Sequence, residues 1–159
     1  MAPITALLHT ENDALRLGRT LETLYPCDNI LIVDHNSRDA TREIGRKYGA
    51  TIVNAEPGTS PHQYLRSARP GWLLILDPRE ALTESLAASL FEWKSEELSA
   101  TAGAFSVFLR EETPEGWVDV PAAQTRLVPH TWAHWNGTRP VHESSAVALE
   151  GELLRFIFP

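Results

Sequence analysis

Short apolar runs alternate with amphipathic stretches through the first two thirds of the chain. Residues 4–8 form an apolar run that reads as a strand, and 12–24 carry Leu15, Leu17, Leu21 and Leu24 along one face of a helix closed by Pro26. Residues 29–33 make a second strand. A second helix over 39–48 follows, with Asp39 at its N-cap and Gly49 as its stop. Residues 51–53 make a third strand, 56–60 are loop by composition, and 61–68 form a short helix with Pro61 in its first turn. The run 72–76 is continuously apolar, as in a strand buried on both faces, and a helix over 83–93 follows.

This rhythm predicts a parallel sheet covered by helices. From Ala104 onward the pattern changes to strands at 105–109, 117–120 and 124–128, joined by turns at 113–116 and Pro121. The expected fold class is α/β: a mostly parallel central sheet flanked by helices, with antiparallel or mixed C-terminal strands. One compact domain over 1–159 is expected, with a βα half at 1–98 and a strand-rich half at 99–159.

Composition narrows the function classes. With 159 residues, 43% of them hydrophobic, the chain can bury a sizeable core. Its net charge of -7 disfavours nucleic acid and anionic membrane as partners, although a local basic patch can still hold a phosphate. Cys27 is the single cysteine, so no intrachain disulfide forms; a cytoplasmic location follows as the expectation, with Cys27 read as a small buried side chain. The N-terminus lacks a signal-peptide pattern, and no window approaches the roughly 20 apolar residues of a membrane span. No transmembrane segment is expected.

In a parallel sheet, ligands bind beyond the carboxyl ends of the strands, where strand order reverses. The pattern puts residues 9–12, 34–37 and 77–80 there, and they are largely polar. One strand-end Asp is commonly a helix cap, whereas three converging polar ends point to a binding site.

The segments I-T-A-L-L-H-T-E-N-D, I-L-I-V-D-H-N-S-R-D-A-T-R-E-I and W-L-L-I-L-D-P-R-E occur in the order of T-x-N-E, V-D-x-x-S-x-D-x-T and W-x-L-x-L-D-A-D-E. In that order the chain resembles family 2 glycosyltransferases of the GT-A, Rossmann-like fold. The segment W-N-G-T-R-P-V-H-E at 135–143 resembles the W-x-G-x-V-H-E element of bacterial members that build lipopolysaccharide core or other surface glycans. The resemblance covers about residues 4–143 and implies that 1–98 is the nucleotide-binding half and 99–159 the acceptor side.

It implies that Thr10 and Glu11 line a nucleotide pocket and that Asp34 accepts a hydrogen bond from the imide N–H of a uracil-like base. Asp77 stands at the first acid of a D-x-D element, whose carboxylates hold magnesium or manganese against the donor diphosphate. Arg79 replaces the second acid, so the element is degenerate and a divalent cation is doubtful. Two readings of Arg79 stay open: its guanidinium replaces the metal by pairing with phosphate, or metal and activity are lost and it pairs with Asp77 or Glu80. Glu80 is either a metal ligand or a surface acid at the start of the next helix.

Glu143 is the implied base that takes the acceptor's proton, with His142 contacting phosphate or metal; the alternative is a hydrogen-bonded pair stabilising the last strands. Asp39, Ser37 and Thr41 are read as loop and helix-start hydrogen-bonding groups. The implied reaction transfers a sugar from a nucleotide-diphosphate sugar, UDP-sugars favoured, to a hydroxyl of a glycan or lipid-linked acceptor, with inversion, in bacterial surface glycan synthesis. The runner-up is a non-catalytic module of the same fold that binds a nucleotide or sugar nucleotide, or serves only interaction.

Other classes are disfavoured. There is no G-x-x-x-x-G-K-S/T phosphate loop and no Gly-rich turn after the first strand. His9, His35, His62, His130 and His134 give no zinc spacing with the lone cysteine. The aromatic cluster Thr131-Trp-Ala-His-Trp135 is read as packing ahead of sugar stacking, and no role is carried onto Arg66 or Arg69. The apolar end L-L-R-F-I-F-P is either a contact surface for a second copy or partner chain, which would complete acceptor recognition, or the last core strand.

Overall fold

The computed structural model describes residues 2–159. Its first half follows the apolar pattern closely. Strands β1 (Ile4–Thr10), β2 (Asn29–Asp34), β3 (Thr51–Asn54) and β4 (Trp72–Leu76) alternate with helices α1 (Ala14–Leu21) and α2 (Thr41–Lys47) and, before β4, a 3₁₀ turn at Pro61–Ser67. The second half comprises β5 (Glu80–Leu82), α3 (Glu84–Ser95), β6 (Phe105–Thr113), β7 (Gly116–Asp119), β8 (Gln124–Pro129), a small hairpin of β9 (Trp135–Asn136) and β10 (Arg139–Pro140), and β11 (Val147–Arg155).

Among the described residues, nine strands form one sheet in the order β3-β2-β1-β4-β8-β6-β11-β5, with β7 paired to β6. The β3-β2-β1-β4 portion is parallel throughout, and the remainder is mixed: β8 runs antiparallel to β4 and β6, whereas β11 runs parallel to β6. The parallel and mixed portions form one continuous sheet, and the break between them does not fall at residue 98, because β5 at 80–82 pairs antiparallel with β11 at the far edge of the mixed portion.

Two apolar layers explain why β1, β2 and β4 carry almost unbroken hydrophobic runs. Ile4, Ala6 and Leu8 of β1 face a cluster with Leu17 and Leu21 of α1 and Leu86, Leu90 and Trp93 of α3, while Leu7 joins Leu31, Val33, Leu73 and Ile75 on the other face. Ile44 of α2 packs on the first layer too. The second face is covered by the turn containing Tyr64 and Leu65 and by Trp132 and Trp135. Trp93, wholly buried, meets Trp72 and Phe105 edge-on with ring centroids 5.1 and 5.7 Å away, which anchors α3 to the middle of the sheet.

Several boundaries differ from the expectation for identifiable reasons. Helix α1 begins at Ala14, and Leu15 is 82% exposed, so the apolar face is carried by Leu17, Leu21 and Leu24. Helix α2 stops before Gly49 as expected: Gly49 N–H donates to Arg46 O at 3.0 Å, and the Gly49 φ of 81° turns the chain so that Ala50 N–H reaches Gly45 O at 3.0 Å. The apolar end divides between its two readings: Leu153 is a fully buried core residue of β11 between β6 and β5, while Ile157 and Phe158 beyond the strand are exposed.

Candidate functional site

The parallel register brings the polar strand ends to one level. Thr10 pairs with Asp34, Asp34 with Asn54, and Leu8 with Leu76, so Asp77 follows at the level of His9. Because β2 and β3 lie on one side of β1 and β4 on the other, strand order reverses between β1 and β4. A cleft of about 460 Å³ opens there, lined by His9, Thr10, Glu11, Asp13, Arg16, His35 and the Asp77–Arg79 segment.

The loops after β1 and β2 are stitched together by side chains that stand in for absent backbone partners. Asn12 and Asn36 take left-handed φ values of 52° and 55°, a conformation Asn tolerates. Asn12 N–H donates to Ser37 Oγ at 2.9 Å, Arg38 N–H to Asn12 Oδ1 at 2.7 Å, and Asp13 N–H to Thr41 Oγ1 at 2.8 Å. Asp39 accepts from Thr41 N–H at 2.9 Å and from Ala14 N–H at 3.1 Å, joining the starts of α1 and α2. The structural reading of Ser37, Asp39 and Thr41 matches this geometry, although α2 starts at Thr41 with Ala40 at its N-cap, so Asp39 braces the starts of both helices from just outside α2 instead of standing at its N-cap.

Asp34 is fully buried and accepts four donors: Thr10 Oγ1 at 2.7 Å, Ser37 Oγ at 2.6 Å, Ser37 N–H at 3.0 Å and Arg42 Nη1 at 3.2 Å. Burial pushes its pKa up, but the Ser37 and Thr10 hydrogen bonds and the Arg42 charge outweigh it and hold the carboxyl below the ordinary range. This departs from the direct base contact expected: a ring N–H would have to displace one of the chain's own donors. Asp34 meets the cleft through Thr10, which lines it.

Two histidines that the sequence places among the polar strand ends, and that sequence reasoning weighs only as zinc ligands, line the cleft at that level. His9 Nδ1 lies 2.9 Å from His35 Nε2, and Tyr64 meets the His9 ring edge-on at 6.3 Å. Burial, and then the His35 charge, lowers the His9 pKa to about 4, so it is neutral at neutral pH. The available signal was positional, since His9 precedes Thr10 and His35 follows Asp34 at paired strand ends. Glu11 lies exposed at the rim.

Asp77, Arg79 and Glu80 form the tight β4–β5 turn. Asp77 Oδ1 accepts from Arg79 N–H at 2.9 Å and Arg79 Nε at 3.0 Å, and Oδ2 lies 3.3 Å from Arg79 Nη2. Of the two readings of Arg79, this conformation shows the pairing with Asp77. Burial pushes the Asp77 carboxyl up, yet the Arg79 hydrogen bonds and charge, with Arg155, hold it below the ordinary carboxylate range. Glu80 is not a surface acid opening a helix. It lies in β5, wholly buried, with Oε1 and Oε2 each 2.8 Å from Arg126 Nη1 and Nη2, and Oε1 also accepts Asp77 N–H at 2.8 Å.

Two further cations stand over this turn. Arg139 Nη2 and Arg155 Nη2 lie 4.0 and 3.9 Å from Asp77 Oδ2, and Arg155 Nη1 lies 4.0 Å from Glu80 Oε2. Burial, and then the charge of Arg126, lowers the Arg139 pKa from the ordinary guanidinium value. A second cavity of about 470 Å³, between β8 and the β9–β10 hairpin, is bordered by Gln124, Arg126, Arg139 and His142. Asp77 with its arginines therefore sits where the two cavities adjoin.

The donor set does not fit a divalent cation. Both Asp77 oxygens face Arg79, both Glu80 oxygens face Arg126, and a dication would enter a cluster already crowded with guanidiniums. Among the described residues, no group of three or more His, Cys, Asp or Glu is arranged to hold a metal ion.

His142 is exposed, and Glu143 follows it in the loop beyond the hairpin. Glu143 N–H donates to Thr125 Oγ1 at 3.0 Å, while its Oε1 accepts from Ser145 N–H at 3.2 Å and Ser145 Oγ at 2.9 Å. Those two Ser145 hydrogen bonds hold the carboxyl below its ordinary pKa, so it is ionised at neutral pH. Trp132 and Trp135 spend their indole N–H groups on backbone carbonyls and pack on the core, in line with the packing reading. Burial pushes the Cys27 thiol up to about 12, so it is no nucleophile. Arg69 borders a cavity near the opposite end of β2. Among the described residues, no helix is long and apolar enough to cross a membrane.

No family model matches the chain. A TPR repeat-containing protein of Synechococcus elongatus is 28% identical over 148 residues, covering 90% of this chain and 35% of that protein. The chain thus spans about a third of that relative's length. Among solved structures, TarS of S. aureus in complex with UDP, in a form of residues 1–349, superposes with a TM-score of 0.56 at 15% identity, covering 76% of this chain and 38% of the other. Mannosyl-3-phosphoglycerate synthase from Rubrobacter xylanophilus superposes with a TM-score of 0.53 at 20% identity, covering 72% and 41%. These neighbours are GT-A glycosyltransferases, and the chain has their fold.

Proposed function

We propose that the β1/β4 cleft binds a nucleotide-diphosphate sugar and that the chain transfers its sugar to an acceptor hydroxyl. The observation that carries this reading is the cleft itself: about 460 Å³, at the reversal of strand order in a GT-A fold, lined by polar strand ends. The UDP held by TarS favours a uridine donor for this chain. In this reading Thr10 and Glu11 border the nucleotide, His9 and His35 present ring edges to the base, and Asp34 holds Thr10 and the Ser37 loop in place.

Glu143 is the proposed base. The acceptor oxygen attacks the anomeric carbon, the bond from that carbon to the diphosphate oxygen breaks with its electron pair leaving on the diphosphate, and the acceptor proton passes to Glu143. Attack in line with the leaving group inverts the anomeric centre. Glu143 is a carboxylate at neutral pH, the form that a proton acceptor requires, and its Ser145 hydrogen bonds make it a weaker base than a free glutamate. The acceptor enters from the 470 Å³ cavity beside His142. A glycan or lipid-linked acceptor in bacterial surface glycan synthesis is the proposed setting.

One observation favours the runner-up, a non-catalytic nucleotide- or sugar-nucleotide-binding or interaction module. Asp77 and Glu80, the two acids nearest a donor diphosphate, are both neutralised internally by arginine. Calorimetry with UDP, GDP, CDP, dTDP and their sugars decides between them when followed by a turnover assay. Saturable binding with turnover that Glu143→Gln abolishes, while donor affinity survives, supports the transferase. Binding without turnover on any acceptor supports the module, and silence across the panel from folded protein overturns the transferase and leaves the module as an interaction module alone.

A further inference from the structure

The turn after β4 concentrates positive charge in a chain whose net charge is -7. Four guanidiniums, from Arg79, Arg126, Arg139 and Arg155, surround two carboxylates, Asp77 and Glu80, leaving two positive charges uncompensated. They are not equivalent. Arg126 is 1% exposed and spends its donors on Glu80, Gln124 and the Ile75 carbonyl, so it is structural. Arg139 and Arg155 stop 3.9–4.0 Å short of the carboxylates, beyond hydrogen-bond length, and Arg139's hydrogen bond to Gln124 Oε1 is long at 3.5 Å. Both side chains are partly accessible, at 35% and 20%.

We infer that Arg79, Arg139 and Arg155 form a metal-free diphosphate site, which takes the place of the divalent cation between the nucleotide cleft and the second cavity. This rests on the nucleotide-sugar reading above and specifies how the leaving group's charge is met. Guanidiniums suit the task because their planar forks bond two phosphate oxygens at once and stay charged at every working pH. Asp77 is then an internal mimic of the ligand: in the empty site it occupies Arg79, and an incoming diphosphate competes with it for all three cations.

That competition gives the inference a test of unusual sign. A metal site loses affinity when its carboxylate is removed, whereas an arginine site gains it. Calorimetry uses pyrophosphate and UDP as probes, each in EDTA and in manganese, on the full chain and on Asp77→Asn, Arg139→Gln and Arg155→Gln. The expected result is binding of both probes in EDTA, tightened roughly tenfold by Asp77→Asn and weakened roughly tenfold or more by each arginine variant. Arg139→Lys and Arg155→Lys keep the charge and, with thermal melts, separate lost binding from lost folding. A requirement for manganese, weaker binding by Asp77→Asn, or silence of pyrophosphate overturns the inference. If pyrophosphate binds in EDTA and no nucleotide does, the arginine site stands and the nucleotide-sugar reading fails.

Discussion

Replacing Arg126 by Met tests whether the buried ion pair behind the cleft carries the stability its geometry implies. Glu80 is wholly buried and Arg126 is 1% exposed, with both contacts at 2.8 Å, so neither charge has water to fall back on. Removing one partner of such a pair costs about 3–5 kcal/mol, most of it the uncompensated charge left behind. Arg155 Nη1, 4.0 Å from Glu80 Oε2, can shift toward the orphaned carboxylate and places the expected loss near the lower end, at about 3 kcal/mol. For a domain of this size that is a fall in Tm of about 6–12 °C.

The double variant Glu80→Gln/Arg126→Met removes both charges while the Gln oxygen still accepts Asp77 N–H. It is expected to be more stable than Arg126→Met alone, with a coupling of at least about 2 kcal/mol in urea denaturation. A single variant that costs under about 1 kcal/mol, or strict additivity, refutes the reasoning, because either means that water or another group already compensates the pair.

Asp34→Asn should cost about 1–3 kcal/mol near neutral pH, since the amide cannot accept from Ser37 N–H and Arg42 where the carboxylate does. The folded pKa lies below the ordinary 3.8, so this stabilisation is present above that value and lost as pH falls through the folded pKa; urea titrations should show the gap closing only in strong acid. His9 should titrate near pH 4 by NMR, against an ordinary 6.5. Its lowered folded pKa means that stability declines as pH falls from 6.5 through 4, and a midpoint above 6 would contradict its burial against His35. Gly151→Ala should destabilise by at least about 2 kcal/mol in denaturant melts, because φ is 88° and a Cβ would lie 2.4 Å from Leu86 N at the start of α3.

The parallel half was legible because both its faces are buried. Such strands announce themselves as unbroken apolar runs, and β4 at 72–76 matched to the residue. The mixed half was less so. Strand β11 is broken in sequence by Glu150-Gly-Glu152, yet Gly151 is there to let α3 approach, and Leu149 and Leu153 hold the alternating buried face. Strand β5 hides a charge: Glu80 looks like a surface acid until Arg126, forty-six positions on, is known to face it.

The same limit applies to the cleft. Its position followed from the strand ends, as did the exchange of an acid for Arg79. The convergence of Arg139 and Arg155 on Asp77, and of His9 on His35, depends on long-range pairing that local pattern does not encode.

The central claim is that the β1/β4 cleft is a nucleotide site. Backbone amide shifts recorded while UDP is titrated into the labelled chain test it most directly. The account predicts saturable changes concentrated at His9, Thr10, Glu11, His35, Asp77 and Arg79, with Arg139 following. Saturable changes confined to other surfaces, or none at millimolar UDP, would contradict it.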